Sequence, residues 1–471
     1  MPNTFLWYDL ETFGRDCRST RISQFAGIRT DENLNPIDAP LSLFCQPADD
    51  FLPEPEAALI TGITPQYAKQ KGLCEADFMA LLHEQFSQAN TCALGYNSIR
   101  FDDEFIRFGL YRNFYDAYER EYAGGNSRWD LLDVMRMMYA LKPDSMQWPQ
   151  REDGMPSFKL EHLAKANNAF EGNAHEALSD VRSLINLACL VKADAPSLWQ
   201  HCLDLRDKNV VAGKLAVHKN QRILHVSGQF SATHACTGLM LPLMPHPLIK
   251  TRTIAVELRP EALKLIDYNV EQIEQNIFTK FSQMPEGETR IGLKEIHHNR
   301  CPIVFSPDDA ISLGLKLDFE RLNINLQQAK DIHAQLSAAS ETIMHKLAKV
   351  FAKQREFDNS DPDGALYSGF FDKADKSKFS KARSSKGHAE LVFNDARLSE
   401  LYFRYKARNW PESLNADEQS LWQKHKNQRL STDSIKAYLA QCEALKSENP
   451  EHTEVLQALQ DWATRISSTC L

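Results

Sequence analysis

The 471-residue chain lacks any pair of cysteines at metal or redox spacing: its ten cysteines, at 17, 45, 74, 92, 189, 202, 236, 301, 442 and 470, form no CxxC. They read as free, mostly packed thiols, not as a zinc site or a redox pair. No uninterrupted apolar run approaches the roughly 18 residues of a membrane span. The N-terminus reaches an apolar segment at Phe5 without a basic stretch or a small-residue cleavage site, so no signal peptide is expected and the location reads as cytoplasmic. Positive charge is also scarce, with 54 Lys and Arg against 63 Asp and Glu and a formal charge of −9. A general attraction to polyanions is therefore excluded, and nucleic acid would have to be held by local basic patches. No internal repeat is visible.

With 43% hydrophobic and 25% charged residues, the composition is that of a folded protein, and the length predicts two to four domains. Up to about residue 195, strand-like and helix-like segments alternate, which predicts an α/β domain. Strands are expected at Phe5 to Leu10, Ile22 to Arg29, Leu41 to Gln46 and Thr91 to Tyr96, with turns around Pro53 to Thr64. Helices are expected at Glu75 to Ala89, from Asp102 toward Tyr122, at Asp130 to Leu141, after an N-cap at Ser157, and at Glu176 to Val191. A strand-rich second domain is read over 196–348, with strands near Ile223, Met240 and Thr253. The polar stretch Asn359 to Gly387 reads as a flexible linker or exposed loop. Helical periodicity in Ala396 to Tyr405, Thr432 to Leu445 and Thr453 to Ile466 predicts an all-helical third domain over 352–471.

Asp9 and Glu11 stand two apart in the first strand, so both carboxylates leave the same face. Two ionised acids side by side cost several kcal/mol unless a cation intervenes. An all-oxygen set favours Mg²⁺ or Mn²⁺ over zinc. Taken alone, the pair also fits an edge strand with one solvated face. Asp102 follows Gly95-Tyr96-Asn97-Ser98-Ile99-Arg100-Phe101 at a strand-to-helix turn. An acid there is as often a helix cap, and Asp103 and Glu104 compete for the role; Asp102 is preferred because it directly follows Phe101, with Asn97 available to hydrogen-bond behind it. His175 and Asp180, five apart at the opening of a helix, are not HExxH, so a zinc-protease reading fails.

Two acids on the first strand, a third at a strand-to-helix turn and a His-x4-Asp near the domain's end form a specific set. The pattern resembles the DEDDh branch of the proofreading-exonuclease superfamily. Gly95 to Glu104, Asn126-Ser127-Arg128-Trp129-Asp130-Leu131-Leu132-Asp133 and Tyr402-Phe403-Arg404-Tyr405-Lys406-Ala407-Arg408-Asn409 extend the resemblance over the whole chain, to the bacterial exonuclease I family. The resemblance implies an RNase H-like exonuclease domain over 1–195, an SH3-like domain and a helical C-terminal domain. It implies a monomer that degrades single-stranded DNA from the 3′ end to 5′-mononucleotides, in DNA repair and recombination. Asp9, Glu11, Asp102 and Asp180 would hold two Mg²⁺ ions about 3.5–4 Å apart, with His175 taking the proton of the attacking water. Mn²⁺ could replace Mg²⁺.

Glu11, Arg107, Tyr118, Tyr122, Arg136 and Lys159 are the expected DNA contacts, since a single strand needs cations for phosphate and aromatic faces for bases. Each is equally an ordinary solvated charge or packed ring, and the resemblance raises them. Lys159 stands where the family can carry Arg, exchanging a bidentate fork for a point charge. Lys214, His218, Lys219, Arg222 and His225 make a basic cluster that would line a DNA channel or form a solvated face. The resemblance also implies docking of the acidic C-terminal tail of the single-stranded DNA-binding protein, placed loosely at Lys142 and basic residues of the second domain. A related RNase and a non-catalytic nucleic-acid adaptor are the rival readings.

Overall fold

The computed structural model describes residues 3–172, 176–353 and 361–468. The chain forms two compact units, interleaved in sequence: 1–127, 171–185 and 357–471 make one, and 128–170 with 186–356 the other.

The first unit is built on a mixed sheet of β1 (Thr4–Thr12), β2 (Ile22–Thr30), β3 (Leu41–Phe44), β4 (Thr91–Gly95) and β5 (Ser127–Asp130), in the order β3-β2-β1-β4-β5. Within β5 the chain passes into the second unit. The central β1 is antiparallel to β2 and parallel to β4. Phe5 to Tyr8 read as an unbroken apolar run because both faces are covered. Leu6, Tyr8 and Leu10 share one face and pack with Phe25, Phe78, Phe86, Phe105 and Leu110. Period two therefore leaves Asp9 and Glu11 on the other.

The proline-bearing segment read as turns instead forms two short helices, Pro55–Thr61 and Pro65–Lys71, each opening on proline. At the first helical position the missing N–H costs nothing, and Gly62, at φ +68°, ends the first helix in the left-handed conformation. The helix from Asp102 ends at Arg112, short of Tyr118 and Tyr122. The Asn113 side-chain amide donates to the Gly109 carbonyl, and Phe114 turns to φ +60°. Its ring packs against Phe379, Phe393, Tyr402 and Tyr405. An aromatic residue held in a strained backbone conformation shows that this packing, not helix propensity, sets the stop.

The polar stretch expected to be a linker is ordered over its described part, with helical turns at Pro362–Gly364, Lys373–Lys376 and Phe379–Ser384. Asp363 and Asp375 are fully buried. Asp363 receives Arg408 at 2.6 and 2.9 Å, Arg404 at 3.1 Å and Arg429 at 3.3 Å, with Arg21 at 3.5 Å. Asp50, equally buried, takes Arg408 at 2.7 Å. Asp363 thus serves an internal ion cluster, while Lys373, Lys376, Lys381 and Lys386 of the same stretch face solvent. Beyond it, helices Ala396–Asn409, Ala416–Arg429, Thr432–Glu448 and Thr453–Ser468 follow. The second of these has nearly all its long faces polar, so it carries little apolar period to read.

The second unit holds an antiparallel sheet of β6 (Ile223–Val226), β7 (Thr237–Pro245), β8 (Arg252–Glu257), β9 (Leu293–His297) and β10 (Ile303–Phe305), ordered β10-β6-β7-β8-β9. Helices Leu326–Ala338 and Ser340–Val350 pack on one face through Ile332, Leu336, Ile343 and Leu347 against Leu241, Ile254 and Val256. Helix Leu131–Leu141 is capped by Asp130, whose carboxylate accepts from the Leu132 amide at 3.0 Å. The helix expected after Ser157 begins at Leu160 without a side-chain cap. Ser157 is occupied with His162 Nδ1 at 2.8 Å. Among the described residues no helix is long and apolar enough to cross a membrane.

Candidate active site

β1 brings Asp9 and Glu11 to one edge of the site, and a register shift between Glu11 and Thr12 marks where the strand departs from regular pairing with β2. Such irregularities re-aim side chains at functional edges. Asp180 arrives from the first turn of helix Ala177–Asp194. One carboxylate oxygen each from Asp9, Glu11 and Asp180 lies within 4.8 Å of the others. These three expected residues are thus brought together.

Asp102 opens helix Asp102–Arg112 and is 5% exposed. β4 delivers it by running close to β1: a Cβ on Gly95 would lie 2.8 Å from both the Tyr8 carbonyl oxygen and Ser98 Cβ, so only glycine fits. Its two neighbours are committed elsewhere. Asp103 accepts from Tyr8 Oη at 2.8 Å and Arg120 Nη2 at 2.5 Å, and Glu104 accepts from Arg107 Nη1 at 2.6 Å and from the Tyr367 hydroxyl. His175 lies outside the described residues.

Burial, then the charges of Glu11, Asp102 and Asp180, pushes Asp9 well above the usual carboxylate range. Burial and then Asp180 push Glu11 up to about 8. Asp9 thus senses all three other acids, and the convergence of Asp9, Glu11 and Asp180, with proton affinity raised at Asp9 and Glu11, makes a site whose charge calls for a cation. The donor set is entirely oxygen, which suits a hard divalent ion.

The expected DNA contacts fall on both units. In the first, Arg107 is 7% exposed and held bidentate by Glu121 at 2.7 and 2.9 Å as well as by Glu104. Those acids outweigh its burial and raise its pKa. The Tyr118 ring lies 5.3 Å below its guanidinium, and Tyr122 is 66% exposed. Sequence reasoning passed over Phe370, 88% exposed and 6.4 Å from the Tyr118 ring. The signal was the Gly369-Phe370-Phe371 run inside a segment too polar to place an aromatic pair by periodicity. In the second unit, Lys159 is exposed. Arg136 bonds Asp133 at 2.5 Å and lies 5.7 Å over Phe158. A Cβ on Gly228 would meet the Arg136 guanidinium at 2.6–2.8 Å.

The basic cluster of the second domain is dispersed. His225 is buried with Nδ1 2.7 Å from the Ile303 carbonyl, and Lys214 is neutralised by Asp309 at 2.6 Å. Lys219 donates to the Gly213 carbonyl at 2.8 Å. His225 sits on a strand, where alternation sends it inward, so sequence proximity overstated the patch. Lys142 borders a cleft of about 430 Å³ with Lys316, Arg321, Asp144, Asp194 and Asp318.

Comparison with known proteins matches three successive segments of the chain. Residues 6–188 match a family profile described as exonuclease, 206–353 one described as exonuclease I SH3-like domain, and 360–466 one described as exonuclease I C-terminal domain. The chain is 37% identical over 477 residues to exodeoxyribonuclease I of Escherichia coli K12, covering 98% of each, and 36% identical over 471 residues to that of Haemophilus influenzae, again 98% of each. Among solved structures it resembles E. coli exonuclease I in complex with a dA16 oligonucleotide, with a TM-score of 0.92, 37% identity and coverage of 98% and 100%. A zinc-bound form of the E. coli single-stranded DNA complex gives 0.91, with 37% identity and coverage of 99% and 100%. A structure described as SSB/exonuclease I in complex with inhibitor CFAM gives 0.87, with 36% identity and coverage of 99% and 100%.

Proposed function

Because the chain belongs to the exonuclease I family, and is an exodeoxyribonuclease acting on single-stranded DNA, we propose that it digests the strand from the 3′ end to 5′-mononucleotides at Asp9, Glu11, Asp102, Asp180 and His175. The observation that carries this reading is the convergence of Asp9, Glu11 and Asp180 within 4.8 Å, with Asp102 close enough for its charge to act on Asp9. These four carboxylates would hold two divalent metal ions, Mg²⁺ with Mn²⁺ as substitute. When bound, the metal supplies positive charge that polarises the attacked phosphodiester and the water. His175 accepts the proton of that water at an imidazole nitrogen, a role suited to an ordinary histidine pKa of about 6.5. Glu11 also faces the terminal nucleotide.

Lys159 and Arg136 supply cations to the phosphates, while Tyr118, Tyr122 and the exposed Phe370 offer faces for bases. Arg107 serves the strand by exchanging Glu104 and Glu121 for phosphate, an exchange of one anionic partner for another. The acidic tail of the single-stranded DNA-binding protein docks at the cleft of Lys142, Lys316 and Arg321, whose cations stand beside apolar Ala140 and Leu141 and would exchange the cleft's own Asp144, Asp194 and Asp318 for the tail's carboxylates.

The direct test is digestion of 3′-labelled and 5′-labelled single strands with Mg²⁺ or EDTA. Early release of the 3′ label, only with metal, is expected; early release of the 5′ label would reverse the polarity. In the same assay His175→Ala should lose most turnover and keep strand binding. A variant at wild-type rate would remove His175 from the mechanism.

A further inference from the structure

Asp9 and Asp102 are each flanked by a residue that the proposed chemistry does not use. Tyr8 precedes Asp9 on β1, and Asp103 follows Asp102 in the first turn of its helix. Both are 1% exposed, and Arg120, from the turn beyond that helix, is 3% exposed. Asp103 Oδ1 accepts from Tyr8 Oη at 2.8 Å and from Arg120 Nη2 at 2.5 Å. The loop is closed by Phe86, whose ring meets Tyr8 edge-on at 5.1 Å and lies 4.7 Å beneath the Arg120 guanidinium. A phenol, a carboxylate, a guanidinium and a phenyl ring thus form a closed circuit.

The cost of this arrangement argues for a purpose beyond filling the core. A buried ion pair is typically no more stabilising than apolar residues of the same volume, and what it adds is directional. Here the direction is specific. Strand alternation sends Tyr8 away from the face that carries Asp9, so the circuit lies on the opposite side of β1 from the carboxylate cluster. It joins the peptide next to one acid to the peptide next to another. Asp9 and Asp102 repel each other when both are ionised, and that repulsion pushes the strand and the helix start apart. A tie between their immediate neighbours opposes the separation without adding charge to the site.

We propose that Tyr8, Asp103 and Arg120 are positioning residues that fix the spacing of Asp9 and Asp102, so that the carboxylates are held ready for the divalent ion before it arrives. The inference rests on the metal-binding reading given above. It assigns the circuit a measurable effect: loss of the tie leaves the ligands intact but lets them spread, so affinity for metal falls while the strand-binding surface is unchanged. Groups that orient metal ligands from behind are worth about 10- to 100-fold in affinity. A tie acting through the backbone should fall at the lower end, about 10-fold.

Tyr8→Phe is the cleanest probe, because it removes one hydroxyl and retains the ring against Phe86. Asp103→Asn is the second, since it keeps an acceptor for Tyr8 while removing the charge facing Arg120. Mn²⁺ binding is measured by titration calorimetry on the full chain, single-stranded DNA binding in EDTA by anisotropy, and the Mn²⁺ concentration for half-maximal digestion alongside. The expected result for Tyr8→Phe is about a 10-fold weaker Mn²⁺ affinity, a matching rise in half-maximal Mn²⁺, near-wild-type rate at saturating Mn²⁺, and unchanged DNA affinity in EDTA. Asp103→Asn, which also leaves the buried Arg120 without its counter-charge, should weaken Mn²⁺ binding at least as much as Tyr8→Phe. Wild-type Mn²⁺ affinity in both variants, alongside binding that disappears in Asp9→Asn, would overturn the tie alone. Wild-type Mn²⁺ binding indifferent to Asp9→Asn would overturn the metal reading and the tie with it.

Discussion

Replacing Asp180 by Asn should destroy activity and yet make the metal-free protein more stable. The oxygens of Asp9, Glu11 and Asp180 converge within 4.8 Å. At an effective dielectric of about 20, two full charges at that separation repel by about 3 kcal/mol. Glu11 gives a second route to the size of the effect. Burial, and then Asp180, moves it from 4.5 to about 8, which at pH 7 corresponds to a penalty on the fold of about 3 kcal/mol. Burial is the larger cause and survives the substitution, so Asp180→Asn should recover only the charge–charge share, about 1–2 kcal/mol. For domains of this size that is about 2–8 °C in melting temperature.

The pH dependence has a definite sign. A carboxyl whose folded pKa is raised favours the fold fully below its ordinary value and loses that advantage as pH climbs to the folded value. In EDTA the gap between Asp180→Asn and wild type should therefore open from about pH 4.5 and level off above about pH 8. Metal reverses the ranking. Wild type gains about 2.7 kcal/mol at 100 times the dissociation constant, and the variant gains little. Scanning calorimetry with EDTA and with Mg²⁺, across pH, reads all of this. A variant less stable than wild type in EDTA at pH 7, or one that retains the full metal-induced rise, would refute the reasoning.

Other consequences are as direct. Asp363→Asn should cost about 3–5 kcal/mol in urea unfolding at pH 7, because guanidiniums buried around Asp363 lose their shared partner. The charge of Arg408 outweighs the burial of Asp363 and holds its pKa well below the usual range; the stabilisation is present above about pH 4 and fades as pH falls below it, so the variant's deficit should shrink in acid. Lys159→Ala should raise KM for oligonucleotides and lower the salt-dependence slope of binding by about one. An unchanged slope would exclude a phosphate contact. Gly228→Ala should displace the Arg136 guanidinium, which its new methyl would meet at 2.6–2.8 Å. Strand affinity should fall with metal binding unaltered, as anisotropy and calorimetry would show.

The parts of the site that were legible in sequence are those where a local rule and the fold agree. Asp9 and Glu11 obey strand alternation in a run apolar enough to be central, and Asp102 stands at a strand-to-helix turn. The parts that were not legible are those decided by distant partners. Asn113 is only a weak local signal for a stop at Arg112; the stop is fixed by Phe114 entering a pocket made by residues some 265 to 291 positions later. Asp363 and Asp375 read as solvent-facing with the rest of 361–387 because composition cannot distinguish charges facing water from charges held in the interior. Lys214 and His225 looked like neighbours in one patch until Asp309 took the first and the sheet interior the second. Prolines at 55 and 65 suggested turns where they begin helices, since the same residue suits both.

The ion cluster around Asp50 and Asp363 also governs the order in which the chain can mature. Asp50 and its partner Arg408 are 358 positions apart. At synthesis rates of about 5–20 residues per second, the carboxylate of Asp50 waits roughly 20–70 s for its guanidinium. Until then the nascent N-terminal region carries Asp50, which the finished fold buries, without the guanidinium that makes its burial tolerable. Burial of Asp50 with its partner therefore waits for helix Ala396–Asn409, and a ribosome that stalls before Arg408 leaves that carboxylate without its guanidinium.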